Sequence, residues 1–320
     1  MTTSDNDLKP EDFAQAAAEA IKDAQTRGFR DAARVLAAAG LCGICAQEDA
    51  GGLALGIAFA LPIATEAGKL RLHWPLLENL LVAKALGDSP LAAQLAGGER
   101  VATWALQGSL QDGLAGQARG ARDCDWVLVA DGRGGGALLD LRSIEIQEDE
   151  ALDPEHPQSW LALDGAEVLA QLDAAAFAAL QRDSHILIAG FVNGAAESAL
   201  ATTAGYMSTR VQFGRPLSAK QAVRHLLARM RLQQEASSAG IQRVLDTDEY
   251  GRVRATRPVL ANALASAAFV LEKSIHLHGG MGFTWEVPLH YALREVRKFD
   301  AAFGSGALAS QVGRDFIQSV

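Results

Sequence analysis

The chain has 320 residues, 49% of them apolar, and a formal net charge of −9. This length fits one large unit of several lobes or two to three small lobes, with enough apolar residues for a sizeable core. The negative charge argues against general nucleic-acid binding and against binding to anionic membrane surfaces.

Targeting and redox signals point to an intracellular setting. No basic segment followed by an apolar core stands near the start, so we expect no secretion signal and a cytoplasmic location. The longest apolar run, residues 53–64, is too short to span a bilayer, so we expect no membrane segment. Three cysteines are an odd number, which does not fit a disulfide framework. Cys42 and Cys45 are spaced as CxxC without a second pair, so we predict buried thiols and no metal site.

The first third of the sequence predicts helices. Pro10, followed by two acidic residues, is typical of a first helical turn, and the helix is expected to stop near Gly28. A second helix is predicted over residues 29–39. A Gly-rich bend then leads into a third helix, and WPLLENLLVAKALG, with an apolar face at helical spacing, predicts a fourth. We assign residues 1–98 to an N-terminal helical domain.

Short runs of aromatic and β-branched residues begin near Arg100. VATWALQGSL, DWVLVADG, GALLDLRSIEIQ and SWLALDG are separated by Gly, Asp and Pro, a pattern that predicts strands. The Gly-rich run at 132–136 is expected to be a turn between two of them. It opens no helix, so it does not match a nucleotide-binding fingerprint. We assign residues 99–166 to a central β domain.

The rest of the sequence predicts helices to its end. A short helix from Asp173 is expected to precede a long Ala/Gly-rich helix over residues 185–210. Two further long helices are predicted, one over residues 221–246 and one that opens at Pro258. Long helices joined by short loops form bundles. The predicted fold class is therefore α+β, mostly α, with a C-terminal four-helix bundle over residues 167–320.

A motif between two of these helices has the chemistry of a dinucleotide site. The sequence RVQFGRP places Arg210, Gln212, Phe213 and Gly214 at a helix end. An arginine can bind a phosphate bidentately, a phenylalanine can stack on adenine, and a glycine lets a ligand approach the main chain. A helical hairpin with a solvated arginine has the same sequence, so this motif alone leaves both interpretations open.

A second motif, HLHGGMGFTWE at residues 276–286, favours the dinucleotide site. Together with RVQFGRP and the early GLCGICAQEDAGG, it makes the chain resemble the acyl-CoA dehydrogenase family of flavoproteins. The order of helical lobe, strand lobe and helical bundle fits this resemblance over nearly the whole chain. The resemblance implies an FAD enzyme in which a glutamate removes the α-proton of an acyl-CoA while the β-hydride passes to the flavin.

The resemblance also implies a cofactor shared between subunits. The two motifs are expected to hold the adenine and pyrophosphate half of a neighbour's FAD. The expected contacts, in chain order, are Arg210, Gln212, Phe213, Leu217, Lys220, Gln221, His276, Gly279, Gly280 and Ser305. His276 and His278 are two residues apart, so on a helix they diverge and we expect no metal pair there.

The positions of the catalytic base depart from the family pattern. The usual glutamate position, counted from Arg294, holds Phe303, which cannot accept a proton. The alternative position, near the start of the first bundle helix, holds Ser184. Asp183 is one residue away from it, which turns a helical side chain by about 100°, and Asp300 precedes the missing glutamate. We therefore expect no catalytic residue in this chain.

The strand lobe departs from the pattern as well. The family segment that touches flavin and substrate is replaced by Gln107-Gly108-Ser109-Leu110, and the nearest match to a second such segment is GARDCDWVLVA. Residues that serve the flavin ring are lost, while those that serve a neighbour's adenine are kept. We interpret the chain as the short subunit, with a shortened β domain, of a heteromeric acyl-CoA dehydrogenase. A full-length homologous partner would carry the glutamate, the flavin-ring contacts and most of the acyl-CoA site.

The resemblance extends to α2β2 complexes that act in bacterial degradation of steroid side chains, which implies a bulky, steroid-type acyl-CoA. Two alternatives stay open. A self-sufficient homomeric dehydrogenase would use Asp183 or Asp300 as its base, and replacing both by asparagine would abolish its activity. A flavin-free scaffold would only complete a partner's shape, and Arg210→Ala would leave the partner's FAD unaffected.

Overall fold

The structure is a computed structural model that describes residues 8–148 and 158–319. It is mostly helical with one large mixed sheet, and the chain order is N-terminal helices, sheet, C-terminal bundle. The fold class predicted from the sequence is therefore confirmed.

The N-terminal helices pack against the bundle. They are α1 (Phe13–Ala24), α2 (Phe29–Ala38), α3 (Ile57–Lys69), α4 (Leu76–Ala85) and α5 (Pro90–Ala96). Helix α5 goes beyond the four predicted helices. Ser89 caps it by accepting a hydrogen bond from the Leu91 N–H at 3.2 Å, and Pro90 occupies its first turn.

Within the described residues the large sheet has seven strands in the order β5-β6-β2-β1-β3-β4-β7. They are β1 (Ala102–Ser109), β2 (Leu114–Arg119), β3 (Trp126–Ala130), β4 (Gly136–Asp140), β5 (Glu145–Glu148), β6 (Gln158–Ala162) and β7 (Val168–Leu172). β1 and β3 are parallel neighbours, and the other pairs are antiparallel. The sequence patterns predict neither β2 nor β7. β7 pairs with β4 and extends the sheet to Leu172, beyond the predicted boundary at residue 166.

The C-terminal part forms the predicted bundle. Its helices are α6 (Ala174–Thr209), α7 (Gln221–Arg243), α8 (Arg257–His278), α9 (Leu289–Ala302) and α10 (Ala307–Ser319), and a small hairpin of β8 (Val211–Gln212) and β9 (Arg215–Pro216) joins α6 to α7. The predicted break ahead of His185 is wrong, because α6 is one helix of 36 residues. The Asp173 carboxylate caps its start by accepting a hydrogen bond from the Ala176 N–H at 2.8 Å.

Helices α3 and α6 touch backbone to backbone. A Cβ added to Gly68 of α3 would lie 1.9 Å from the Phe191 carbonyl oxygen of α6. A Cβ added to Gly194 of α6 would lie 2.1 Å from the Thr65 carbonyl oxygen of α3. Both distances are far inside van der Waals contact, so only glycine fits at these positions. This contact joins the N-terminal helices to the bundle.

Two helical segments, Ala174–Thr209 and Arg257–Phe283, are long and apolar enough to cross a membrane by length and composition alone. Most of each apolar window is buried inside the protein, 78% in the first segment and 61% in the second. The core helices of a bundle have the same composition, so these segments are weak evidence for a membrane location.

Replacing Gly194 by alanine is expected to destabilise the protein by about 3 kcal/mol, because the new methyl group overlaps the main chain of α3. The matched control is Gly205→Ala on the same helix, where an added Cβ meets nothing within 4 Å. Alanine is the better helix former, so the control is expected to stabilise the protein by about 0.5–1 kcal/mol. Urea denaturation measures both changes, and equal stabilities of the two variants would contradict the backbone contact.

Candidate functional site

Helices α6 and α8 run in the same direction and contact each other at two levels. The His185 Nδ1, twelve residues into α6, lies 2.9 Å from the hydroxyl oxygen of Thr256 at the start of α8. At their ends the rings of Tyr206 and His278 stack, with 4.5 Å between centroids and 9° between planes. The Tyr206 hydroxyl also lies 3.9 Å from Met281 Sδ. The segments that follow the two helices therefore lie side by side, which brings the two predicted motifs together at one end of the bundle.

The first motif folds as a tight hairpin that presents an aromatic ring to solvent. β8 pairs with β9, and the turn residues Phe213 and Gly214 have φ values of 55° and 76°. Positive φ at both central residues is the geometry of a type I′ turn. Phe213 is 90% exposed, and the Lys220 Nζ lies 5.1 Å from its ring centroid. A phenylalanine in this left-handed conformation costs about 1–2 kcal/mol. The fold thus holds the ring in a strained, exposed position where it can stack on a ligand.

Arg210 lies directly after α6, and its guanidinium has no partner among the residues that the structure describes. The Arg210 N–H bonds the Tyr206 carbonyl, and its own carbonyl accepts from the Leu217 N–H, both at 2.9 Å. The side chain is exposed. Gln212 donates its amide to the Val211 carbonyl at 2.8 Å. A fixed backbone with an unengaged guanidinium is suited to binding a phosphate.

The remaining predicted contacts of the first motif lie beside the hairpin. Leu217 and Lys220 are half-buried, and Gln221 is exposed as the first residue of α7. The first turn of α7 has main-chain N–H groups without helical acceptors, which favours anions at this end.

The second motif leaves α8 through a turn that requires glycine. Gly279 has φ 62° and ψ −139°, a conformation that glycine adopts far more readily than other residues. An added Cβ at Gly279 or Gly280 would meet nothing within 4 Å, so both face open space. His276 is exposed, whereas His278 is buried with its Nδ1 2.8 Å from the Ser274 carbonyl oxygen. The two histidines diverge, as their spacing predicts.

The two positions at which the resemblance places a catalytic base converge near the start of α6. The Phe303 ring lies 5.7 Å from the ring of His185, the neighbour of Ser184. Ser184 is buried and donates its hydroxyl to the Gln181 carbonyl at 2.7 Å. Burial, with a smaller effect from Arg257, lowers the pKa of His185 to about 4. The two positions hold an aromatic ring and a hydroxyl, and the neighbouring His185 is a neutral imidazole; none of these three groups is a carboxylate.

The two candidate aspartates are engaged in structural contacts. Asp183 is buried and forms an ion pair with Lys84. Taking up a proton would leave that lysine without its counter-charge. Asp300 closes the turn after α9, because its side chain accepts from the Gly306 N–H at 3.1 Å and its carbonyl accepts from the Ser305 N–H at 2.8 Å. Ser305 itself is exposed with φ 50°.

The sheet packs on α9 through polar contacts that the sequence analysis missed. The Gln107 side chain donates to the carbonyls of the last two residues of α9 at 2.9 and 3.1 Å. The buried Arg119 of β2 lies 3.1 Å from Glu295 of α9 and 3.2 Å from Glu78 of α4. An arginine in a stretch of small residues, LAGQARGA, is a signal that could have found this cluster. The strand segment expected to touch flavin and substrate therefore contacts this chain's own helix.

Comparison with known proteins gives a match to one family model and several relatives. Residues 180–315 match the family model for the acyl-CoA dehydrogenase, C-terminal domain. Acyl-CoA dehydrogenase FadE34 of Mycobacterium tuberculosis is 28% identical over 311 residues, which cover 90% of this chain and 43% of the relative. Acyl-CoA dehydrogenase IpdE2 of the same organism is 27% identical over 262 residues, which cover 78% of this chain and 75% of the relative. This chain thus spans less than half the length of FadE34.

Solved structures share the fold. A steroid ACAD variant, Tcur3481-Tcur3483, has a TM-score of 0.83 at 23% identity, covering 97% of this chain and 98% of that chain. The ChsE4-ChsE5 complex from Mycobacterium tuberculosis has a TM-score of 0.81 at 21% identity, covering 99% of this chain and 98% of that chain. At these identities the likeness is one of fold.

The low pKa of His185 predicts a pH dependence of stability. A histidine in the unfolded chain binds a proton near pH 6.5, whereas folded His185 does so only near pH 4. The unfolded state binds more protons between these values, so a stability that is complete above pH 6.5 falls as the pH drops toward 4. His185→Gln is expected to lose about 1–2 kcal/mol less stability between pH 7 and pH 5 than the unaltered protein.

Urea denaturation at the two pH values makes this measurement. The matched control is His276→Gln, an exposed histidine of α8, which is expected to keep the full pH-dependent loss. Identical losses in His185→Gln and the unaltered protein would show that the buried imidazole is not the group responsible.

Proposed function

We propose that this chain is a subunit of a heteromeric FAD-dependent acyl-CoA dehydrogenase. Its residues 180–315 match the family model for the acyl-CoA dehydrogenase, C-terminal domain, which supports this proposal. It supplies the adenine and pyrophosphate half of a shared FAD site. A homologous full-length partner supplies the glutamate base and the flavin-ring contacts. The bound FAD would be the hydride acceptor when an acyl-CoA is oxidised to the 2-enoyl-CoA.

The observation that carries this proposal is the difference between the two ends of α6. At its C-terminal end, Arg210 and Phe213 are exposed and Gly279 faces open space. Near its N-terminal end, Phe303 stands at the usual base position, and Gln107 ties the sheet to α9. Exposed FAD-binding groups at one end of α6, together with a base position filled by the chain's own phenylalanine, fit a chain that shares its cofactor with another subunit.

The hairpin end fits the adenine and pyrophosphate half of FAD on its own chemistry. The Arg210 guanidinium offers a charge-assisted contact to a phosphate, worth about 1.5–3 kcal/mol. The Phe213 ring offers a face for adenine. The turn at Gly279 and Gly280 leaves the main chain open to a ligand. All these groups point outward, so the rest of an FAD held by them would lie on a neighbouring subunit.

Related structures support a partner and a substrate class. One structural neighbour is named as a complex of two proteins, ChsE4 and ChsE5, and another is named as a steroid ACAD. By analogy we propose an α2β2 assembly in the cytoplasm, acting on a bulky, steroid-type acyl-CoA held mainly by the partner. Phe283 and Trp285, which are 79% and 70% exposed beside the second motif, add apolar surface of the kind that subunit interfaces bury.

The self-sufficient alternative needs a carboxylate that can take up a proton beside Phe303. Asp183 is paired with Lys84 in a buried site, and Asp300 holds the turn after α9. Neither geometry favours a role as base, so we propose the shared site over this alternative.

The test is FAD binding by the complex formed with the full-length partner. Arg210→Ala is expected to weaken FAD binding by about 1.5–3 kcal/mol, or roughly 10- to 150-fold in Kd. Arg210→Lys keeps the charge and loses the bidentate geometry, so its Kd for FAD should lie between those of the unaltered protein and Arg210→Ala. Flavin fluorescence during titration of the apo complex measures each Kd.

The matched control is Arg133→Ala, an exposed arginine on the turn between β3 and β4, which should leave the Kd unchanged. If Arg210→Ala behaves like this control, the proposed FAD contact is wrong and the flavin-free scaffold is favoured.

A further inference from the structure

One segment of this acidic chain contains positive charge alone. No Asp or Glu stands between Glu197 and Glu235. The lysine and arginines of this segment are Arg210, Arg215, Lys220, Arg224, Arg229 and Arg231. The net charge of −9 is therefore the sum of +6 in this segment and −15 in the rest of the chain. Charge segregated in this way attracts a partner of opposite charge.

The part of this charge that lies away from the hairpin is on the solvent side of α7. We define the α7 face as Arg224, His225, Arg229 and Leu232, all exposed. Arg224 donates to the Ala219 carbonyl at 3.2 Å, and the Arg229 guanidinium lies 4.9 Å from the centroid of the Phe269 ring. These contacts orient the two side chains without neutralising them. Leu232 is 70% exposed, which adds an apolar side chain at the C-terminal end of the charged face.

Neighbouring groups leave the positive charge of the α7 face in place. Lys273 of α8 adds a cation, with its Nζ 5.8 Å from the same Phe269 ring. Glu235, at the end of the acid-free segment, is paired with Arg231. Glu197, at its start, is paired at 3.0 Å with a lysine of α3. Both carboxylates are thus engaged with cations outside the α7 face.

This charge disfavours self-association through the α7 face. A symmetric dimer sets the same surface patch of each subunit against its copy. Arg224 and Arg229 of one chain would then approach the same arginines of the other, and the face offers no carboxylate to pair with them. Like charges placed together at an interface are unfavourable, whereas complementary potentials speed association and reject wrong partners.

We propose that the α7 face is the docking surface for an acidic face of a different chain, and that its charge selects this partner over a second copy. The inference rests on the proposed function, because the partner is the full-length homologous subunit. The α7 face begins beside the FAD contacts, because Arg224 and His225 line a cavity together with Gln221. It extends away from them: at 1.5 Å rise per residue, Arg229 and Leu232 lie about 13 and 18 Å along the helix from Lys220.

The first test uses the chain alone. Light scattering after size-exclusion chromatography at low and high NaCl gives its oligomeric state, for the unaltered chain and for the Arg224→Glu/Arg229→Glu double variant. The proposal predicts that the oligomeric state of the lone chain is the same with and without the double substitution. A lone-chain dimer that forms at low salt and is lost in the double variant would overturn it, because the α7 face would then pair with itself.

The second test measures the affinity for full-length acyl-CoA dehydrogenases of the same genome, beginning with those encoded beside this chain. Arg224→Glu and Arg229→Glu are each expected to raise the Kd about tenfold or more, chiefly through slower association, and added salt should weaken the unaltered complex more than the variants. The matched control, Arg133→Glu on the sheet, should change the Kd less than twofold. An unchanged Kd in the double variant, or no binding to any of these proteins, would overturn the proposal.

The FAD content of the complex separates this inference from the proposed function. If the complex holds FAD but the α7 substitutions leave the Kd between the two chains unchanged, the proposed docking surface is wrong and the shared FAD site stands. If the α7 substitutions break a complex that holds no FAD, the docking surface stands and the shared FAD site is wrong.

Discussion

The contact between α6 and α8, which run in the same direction, positions the two motifs that carry the candidate FAD contacts. His185 of α6 contacts Thr256 at the start of α8, and Tyr206 stacks on His278 where the two helices end. The segments that leave the two helices must therefore lie next to each other. The glycine contact with α3 holds α6 in turn. One rigid pair of helices thus separates an end that is open to a ligand from an end that is closed by the chain's own side chains.

The buried charges support the same division. A general base must be free to take up a proton. Here Asp183 is paired with Lys84, while Glu78 and Glu295 share Arg119. Protonating Asp183 would remove the counter-charge of Lys84, and protonating Glu78 or Glu295 would remove one of the two carboxylates that neutralise the buried Arg119. The acids of this region are therefore engaged in the packing of sheet, bundle and N-terminal helices.

The features that could be predicted from the sequence are those that neighbouring residues determine, namely the helices and the glycine turns. The helices have apolar faces at helical spacing, and the turns at Gly214 and Gly279 need glycine for their backbone angles. Strand β2 could not be predicted, because LAGQAR has no β-branched or aromatic residue and its conformation comes from pairing with β1 and β6 on both sides. The break predicted ahead of His185 was wrong because residues 174–184 contain no glycine or proline that would interrupt a helix. The Arg119 cluster joins three elements that are far apart in sequence, which local patterns do not encode.

The proposed function requires that this chain hold one part of a flavin site. The most direct measurement is the visible flavin absorbance of the chain purified alone and of its complex with the full-length partner, with acyl-CoA turnover measured on the same samples. We expect little bound FAD and no turnover for the lone chain, whereas the complex should bind FAD and turn over the acyl-CoA. A lone chain that binds a full equivalent of FAD and oxidises an acyl-CoA would contradict the proposed function.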